Sequence, residues 1–337
     1  MNSRKIFVIG SNSFSGSNFV AKALQLGCEV LGVSRSPEPL DVFLPYKWCK
    51  KDLDLNRENF KFKKLNLNKD LLQIIKCLDE FKPEYVVNFA AQGMVAESWL
   101  NPTHWYKTNV VSQVALHDEL RKKDFIKKYV HITTPEVYGS TDEGWINEQK
   151  VFSPSTPYAV SRAACDMHLK SFFEAYRFPV VFTRAANVFG PGQQLYRIIP
   201  RTILSALSGK KMNLHGGGSS IRSFIHISDV VDATMNLAIR AEPGSSWHLS
   251  TRESISIKSL VEKICHLCNV EFEKIVKVTD ERLGKDQSYL LDSSAIRENL
   301  NWKEKISLDA GIKDTISWVE DNYDLLYKLP WNYIHKL

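Results

Sequence analysis

The chain has 337 residues, 44% hydrophobic and 24% charged, which excludes disordered and fibrous classes and leaves ample length for a core. Lys and Arg number 44 against 38 Asp and Glu, a net charge of +6, but the basic residues are scattered among acidic ones. The densest basic run, Arg121-Lys122-Lys123 with Lys127-Lys128, falls at an expected helix end, where cations suit the dipole; nucleic acid is not expected as a partner, and anionic small molecules are.

In chain order, residues 4–9 read as a buried strand and 16–26 as a helix. Residues 29–33 give a second strand, 62–65 a third, and 71–81 a periodic helix. Pro83 breaks the chain before a fourth strand, 85–89. Pro102 opens a long helix to about residue 122, followed by a strand at 129–132, a helix at 158–176 and a strand at 180–183. Repeated strand–helix units predict a parallel sheet covered on both faces, over residues 1–184. Beyond that, glycine clusters at 190–192 and 216–218 and shorter elements predict a smaller mixed region, 185–337, with elements at about 222–250 returning to the first part. No stretch approaches the roughly 18 apolar residues of a membrane span, and the opening residues hold no signal-peptide core. A soluble cytoplasmic protein with no membrane partner is expected.

The six cysteines, at 28, 49, 77, 165, 265 and 268, read as free thiols. Cys265-His266-Leu267-Cys268 resembles half a zinc site, but no second pair follows at suitable spacing, so no metal is expected.

Chemistry-bearing residues cluster at strand ends. Gly10-Ser-Asn-Ser-Phe-Ser-Gly16 joins the first strand to the first helix, where a dinucleotide fold needs a tight turn and free helix N–H groups for phosphates. The GxxGxxG spacing places Ser13 at the middle position, where its Cβ narrows the approach. The second strand ends Val33-Ser34-Arg35-Ser36 with no acid until Glu38; Arg35 and the Ser34 hydroxyl suit a 2′-phosphate, favouring NADP over NAD. Tyr158 and Arg162 lie four apart on one helical face, and a cation beside a phenol lowers its pKa, making Tyr158 a candidate base. Thr134 can hydrogen-bond the same substrate hydroxyl.

On these residues, and on Asn88-Phe-Ala-Ala-Gln92, Thr108-Asn109-Val110, Arg184-Ala-Ala-Asn187-Val-Phe-Gly190-Pro191, Ile221-Arg222-Ser-Phe-Ile-His-Ile-Ser-Asp229 and Arg282-Leu-Gly284-Lys-Asp286, the chain resembles the extended short-chain dehydrogenases/reductases of the nucleotide-sugar epimerase/dehydratase group, over about residues 4–320. The resemblance implies a Rossmann-type doubly wound parallel sheet with a smaller mixed α/β region for substrate. It implies cofactor contacts from Gly10, Ser13, Phe14, Gly16, Ser34, Arg35, Asn66, Leu67, Ala90, Ala91, Gln92, Asn109, Tyr158 and Arg162. Ser98, Glu136, Asn187, Arg197, Arg222 and Arg282 are implied for the nucleotide diphosphate sugar, and the two long helices for a homodimer.

Glu136 discriminates within the group, because the 4,6-dehydratases carry a glutamate there as the C5 base. Thr134, Glu136, Tyr158 and Arg162 are then the catalytic set of a 4,6-dehydratase, giving a 4-keto-6-deoxy sugar. Two departures stand out: Pro135 replaces the aspartate that protonates the leaving hydroxyl in dTDP-glucose dehydratases, and Arg162 replaces the family lysine. UDP-glucuronate-type decarboxylases also carry a glutamate at the Glu136 position, whereas C4 epimerases generally lack it; these, a C4 dehydrogenase and an inactive cofactor-bound homologue are the alternatives. His131, His215 and His226 read as packing or hydrogen-bonding residues.

Overall fold

Ile6, Phe7, Val8 and Ile9 are apolar in succession because both faces of their strand are covered: Phe7 and Ile9 join one core cluster, Ile6 and Val8 another. The computed structural model describes residues 3–48, 56–141, 144–281 and 288–336. Its first part alternates β1 (Lys5–Ile9), α1 (Phe14–Gln25), β2 (Glu29–Ser34), β3 (Phe60–Lys64), α2 (Leu71–Phe81), β4 (Tyr85–Asn88), α3 (Val95–Leu100), α4 (Pro102–Tyr106), α5 (Ser112–Leu120) and β5 (Lys128–Ile132). There follow β6 (Trp145–Ile146), α6 (Pro157–Tyr176), β7 (Val180–Ala185), β8 (Asn187–Phe189), α7 (Ile198–Ser208), β9 (Met212–His215), β10 (Ile221–Arg222), β11 (Phe224–His226), α8 (Ile227–Arg240), β12 (Ser246–Leu249), β13 (Ile255–Ser256), α9 (Ile257–Leu267), α10 (Phe272–Ile275), β14 (Val276–Thr279) and β15 (Ser288–Leu291).

Seven strands form one parallel sheet in the order β12-β7-β5-β4-β1-β2-β3. Side chains of α2, α5 and α6 (Ile74, Leu78, Leu116, Leu169) cover one face, and those of α1 and α8 (Phe19, Val20, Val231, Met235) the other. This is the expected doubly wound Rossmann-type arrangement, and β12 returns to its edge beside β7. The switch of connection direction on either side of β1 opens a crevice at the carboxyl ends of β1, β2 and β4. A smaller sheet of β13-β10-β15-β6 and the pairs β11-β8 and β14-β9 form the mixed region.

One element departs from its expected form. The helix from Pro102 is not uniform: a π-helical turn, Lys107–Val111, separates α4 from α5 and carries the buried Thr108 and Asn109. The basic run is matched by acids, with Arg121 on Asp118 (2.8 Å), Lys122 on Glu119 (2.7 Å) and Lys123 on Asp79 (2.7 Å). Among the described residues no helix is long and apolar enough to cross a membrane.

Candidate active site

The glycine loop is built for close backbone approach. Gly10 has φ +81°, and a Cβ there would lie 2.8 Å from the Ala90 amide nitrogen. Ser13 has a second role in the loop. It is the N-cap of α1: its Oγ accepts from the Gly16 amide (3.0 Å) and donates to the Gly10 carbonyl (2.7 Å). Phe14 and Ser15, in the first turn of α1, line the cleft, and first-turn amides have no intrahelical acceptors. A tight glycine turn feeding a helix N-terminus fits a dinucleotide diphosphate.

The other expected cofactor residues take distinct roles. The Ser34 hydroxyl accepts from the Asn12 amide (3.0 Å), bracing the loop. Arg35 Nη1 donates to the Lys336 carbonyl (2.8 Å), and Gln92 Nε2 donates to the same oxygen (2.7 Å). Leu67 packs in the core, and Asn66 is held locally, its amide donating to Asp70 (2.7 Å) and its Oδ1 accepting from the Asn68 amide (2.9 Å). The Ala90 amide donates to Asn88 Oδ1 (2.9 Å); Ala91, the next residue, is half-buried. Asn109 is fully buried, accepts from the Gln92 amide (2.8 Å), and donates to the Gln92 carbonyl (3.0 Å) and Ser161 Oγ (3.0 Å). It positions Gln92 from behind.

A cleft of about 920 Å³ runs from the first turn of α1 into the mixed region, and Thr134, Glu136, Tyr158, Asn187, Arg197 and Arg222 all line it. Thr134 caps the single turn Pro135–Tyr138, accepting from the Glu136 amide (3.3 Å), and Pro135 supplies the fixed φ of the first position. Thr156 caps α6, accepting from the Ala159 amide (3.1 Å), which sets Tyr158 in its first turn. The Tyr158 phenol is pushed up from its ordinary value, first by burial and then by the Glu136 charge; Arg162, a Thr134 hydrogen bond and Arg197 oppose this. The expected lowering by Arg162 is therefore outweighed. Arg162 is buried and donates to the Ile132 carbonyl.

Below Arg162 lies a network that sequence reading missed. Asp166, fully buried, accepts from Arg184 Nη2 (2.6 Å) and Thr133 Oγ1 (3.1 Å), with His131 Nε2 at 3.3 Å. Burial alone would raise its carboxyl, but Arg184, His131 and Arg162 hold it down at about 2. Burial pulls the His131 imidazole below its ordinary value, and its ring packs against His117, Tyr129 and Phe182. His117, His131 and Cys165 offer ligand atoms within 4.8 Å of one another, though the Arg162 charge bears on all three and disfavours a cation.

On the substrate side, the Arg222 guanidinium lies 4.3 Å from the Tyr289 ring centre, and the Tyr289 hydroxyl donates to Asn187 Oδ1 (3.1 Å). Arg201 and Lys211 also reach the wall and were not singled out; the i, i+4 spacing of Arg201 from Arg197 was the available signal. Ser98 is buried and donates to the Val95 carbonyl (2.6 Å), behind the cleft wall that Met94, Val95, Ala96 and Glu97 form. Arg282 lies outside the described residues. Trp331, Asn332 and Tyr333 were also missed; the run Pro330-Trp-Asn-Tyr-Ile-His335 was their only trace in the sequence.

The family model for GDP-mannose 4,6 dehydratase matches residues 7–315. A trifunctional UDP-glucose 4,6-dehydratase/UDP-4-keto-6-deoxy-D-glucose 3,5-epimerase/UDP-4-keto-L-rhamnose-reductase of Arabidopsis thaliana is 31% identical over 268 residues, 78% of this chain and 40% of that protein. The chain thus spans two fifths of that relative's length. The dTDP-D-glucose 4,6-dehydratase of Mus musculus is 31% identical over 276 residues, covering 80% of this chain and 76% of that one. The crystal structure of dTDP-glucose 4,6-dehydratase from Bacillus anthracis in complex with NAD is 26% identical and superposes with a TM-score of 0.84, over 96% of this chain and 98% of that one. With the glycine loop, the Thr134–Glu136 turn and Tyr158 on one cleft, the chain belongs to the GDP-mannose 4,6 dehydratase family of the extended short-chain dehydrogenases/reductases.

Proposed function

We propose that this protein converts a nucleoside-diphosphate hexose to its 4-keto-6-deoxy derivative. The observation that carries the reading is Glu136 on the same cleft wall as Tyr158 and Thr134, in a cleft that also reaches the first turn of α1. A bound nicotinamide dinucleotide, held by the Gly10–Gly16 loop, supplies the hydride chemistry: removal from C4 and return at C6. Tyr158 takes the proton of the C4 hydroxyl, with Thr134 hydrogen-bonding the same group. A ketone at C4 makes C5–H acidic, and the Glu136 carboxylate takes that proton. The C6 hydroxyl then leaves as water, protonated by the acid form of Glu136, since Pro135 offers no proton. Arg162 keeps a fixed positive charge near Tyr158 and relays no proton.

Arg197 and Arg222, with Asn187, supply charge-assisted and neutral contacts for the diphosphate end. Residues 1–184 with the returning α8 and β12 serve the cofactor, and most of 185–337 serves the sugar nucleotide. NAD is the proposed cofactor. The NADP preference expected from Arg35 lacks support, because the Ser34 hydroxyl is turned to the glycine loop and the Bacillus anthracis relative was solved with NAD. A homodimer through the α4–α5 and α6 region completes the reading, with the cytoplasm as the expected compartment.

The test is mass spectrometry of products from dTDP-, UDP-, GDP- and CDP-hexoses. Loss of one water from one donor is expected. Release of carbon dioxide from a hexuronate donor, or simple oxidation, would replace the dehydratase reading.

A further inference from the structure

The donors expected to face the dinucleotide are engaged by the chain itself. Arg35 follows β2 and Gln92 follows β4, the two strands flanking β1. One oxygen, the Lys336 carbonyl, accepts from both, at 2.8 and 2.7 Å. It therefore bridges the crevice over the end of β1, where Gly10 turns. A main-chain carbonyl is the same kind of acceptor as a ribose or phosphate oxygen, so the chain supplies a stand-in for the ligand.

The residues of the segment reaching this point alternate in burial. Trp331, Tyr333 and His335 are partly buried, whereas Asn332, Ile334 and Lys336 are exposed. The His335 ring lies nearly parallel to His104 and Trp105, with centres 5.2 Å apart in each pair, and His335 Nε2 is 3.0 Å from His104 Nδ1. Tyr333 meets Tyr196 edge to face at 5.3 Å. The Trp331 carbonyl accepts from Arg201 Nη1 (2.8 Å). The segment belongs to no strand, so side-chain contacts hold it in place of a ladder, and such a segment opens at low local cost.

We infer that residues 331–336 form a strap across the dinucleotide crevice, pinned by His335, which an entering nicotinamide dinucleotide displaces. The strap lowers cofactor affinity by the fraction of time it is docked. It also reaches the sugar-nucleotide wall through Trp331–Tyr333, so its release opens both halves of the cleft together. The inference rests on the cofactor reading above.

Two measurements on cofactor-stripped full-length protein test it. In the first, calorimetry gives the NAD dissociation constant of the wild type and of His335→Ala. If the strap is docked about nine tenths of the time, removing its pin tightens NAD binding by about tenfold. Unchanged or weaker binding overturns the strap. The second uses protein labelled with fluorotyrosine, with the Tyr333 resonance assigned through Tyr333→Phe. NAD should move that resonance towards the free-tyrosine position. If NAD binds and the resonance stays, the strap is overturned while the cofactor reading stands. If neither protein binds NAD, the cofactor reading fails and the strap falls with it.

Discussion

Tyr158 and Glu136 are coupled by charge as well as by sequence of action. Burial raises the Tyr158 phenol and the Glu136 carboxylate raises it further, so the phenolate forms towards alkaline pH and C4 oxidation should speed up as pH rises through neutrality. Glu136→Gln removes the second cause. Its C4-oxidation limb should shift to lower pH, while C5 deprotonation falls by about 10²–10⁴-fold, the usual worth of a general base. Rapid-quench mass spectrometry can separate these effects, because the mutant should accumulate a 4-keto hexose that takes up almost no deuterium at C5 in heavy water. An unshifted limb would mean the two groups do not share a field, and dehydration near the wild-type rate would remove Glu136 as the base. The Tyr158–Arg162 pair was legible from i, i+4 spacing; the net direction of the Tyr158 shift was not, because burial is a property of the assembled cleft.

At the scale of elements, α6 does more than present Tyr158. Tyr158, Arg162 and Asp166 recur every fourth residue along one face, and Asp166 ties that face to Arg184 of β7, Thr133 after β5 and His131 of β5. Asp166→Ala would leave buried Arg184 and Arg162 without their carboxylate, a loss of about 3–5 kcal/mol by analogy with broken buried pairs. A double change of Asp166 and Arg184 to Leu and Met should cost less, since Arg162 alone is then left without the carboxylate. Urea midpoints read both; a single-mutant loss under about 1 kcal/mol would show the charges are compensated elsewhere. None of this could be read locally, because the partners come from three separate elements. What could be read was whatever one element carries alone: the two-faced apolar β1, the bounds of α2 and the loop opening α1. Ser98 shows the converse, since a motif position does not reveal that the hydroxyl turns back onto Val95.

Among the described residues, the π-helical turn and α6 carry apolar side chains left exposed to solvent. On the two long helices expected to pair two subunits, Leu116 and Leu169 point into the core. The outward residues are Val111 (54% exposed) on the π-helical turn and Val160 and Met167 (62% exposed) on α6, the last two seven apart and so on one helical stripe. Exposed side chains of this size on neighbouring helices suit an isologous contact, in which each patch meets its own copy across a two-fold axis. In such a contact every substitution enters twice and faces its like. Val111→Glu with Met167→Glu would then set four carboxylates near one axis, and repulsion with desolvation should leave a folded monomer. Light scattering at micromolar concentration should give twice the chain mass for the wild type and the chain mass for the double variant, with unchanged circular dichroism. A wild-type monomer would remove the dimer. A variant that stays dimeric would move the interface to another face, since a four-fold charge cluster at the centre of a tight contact cannot be left unpaired without cost.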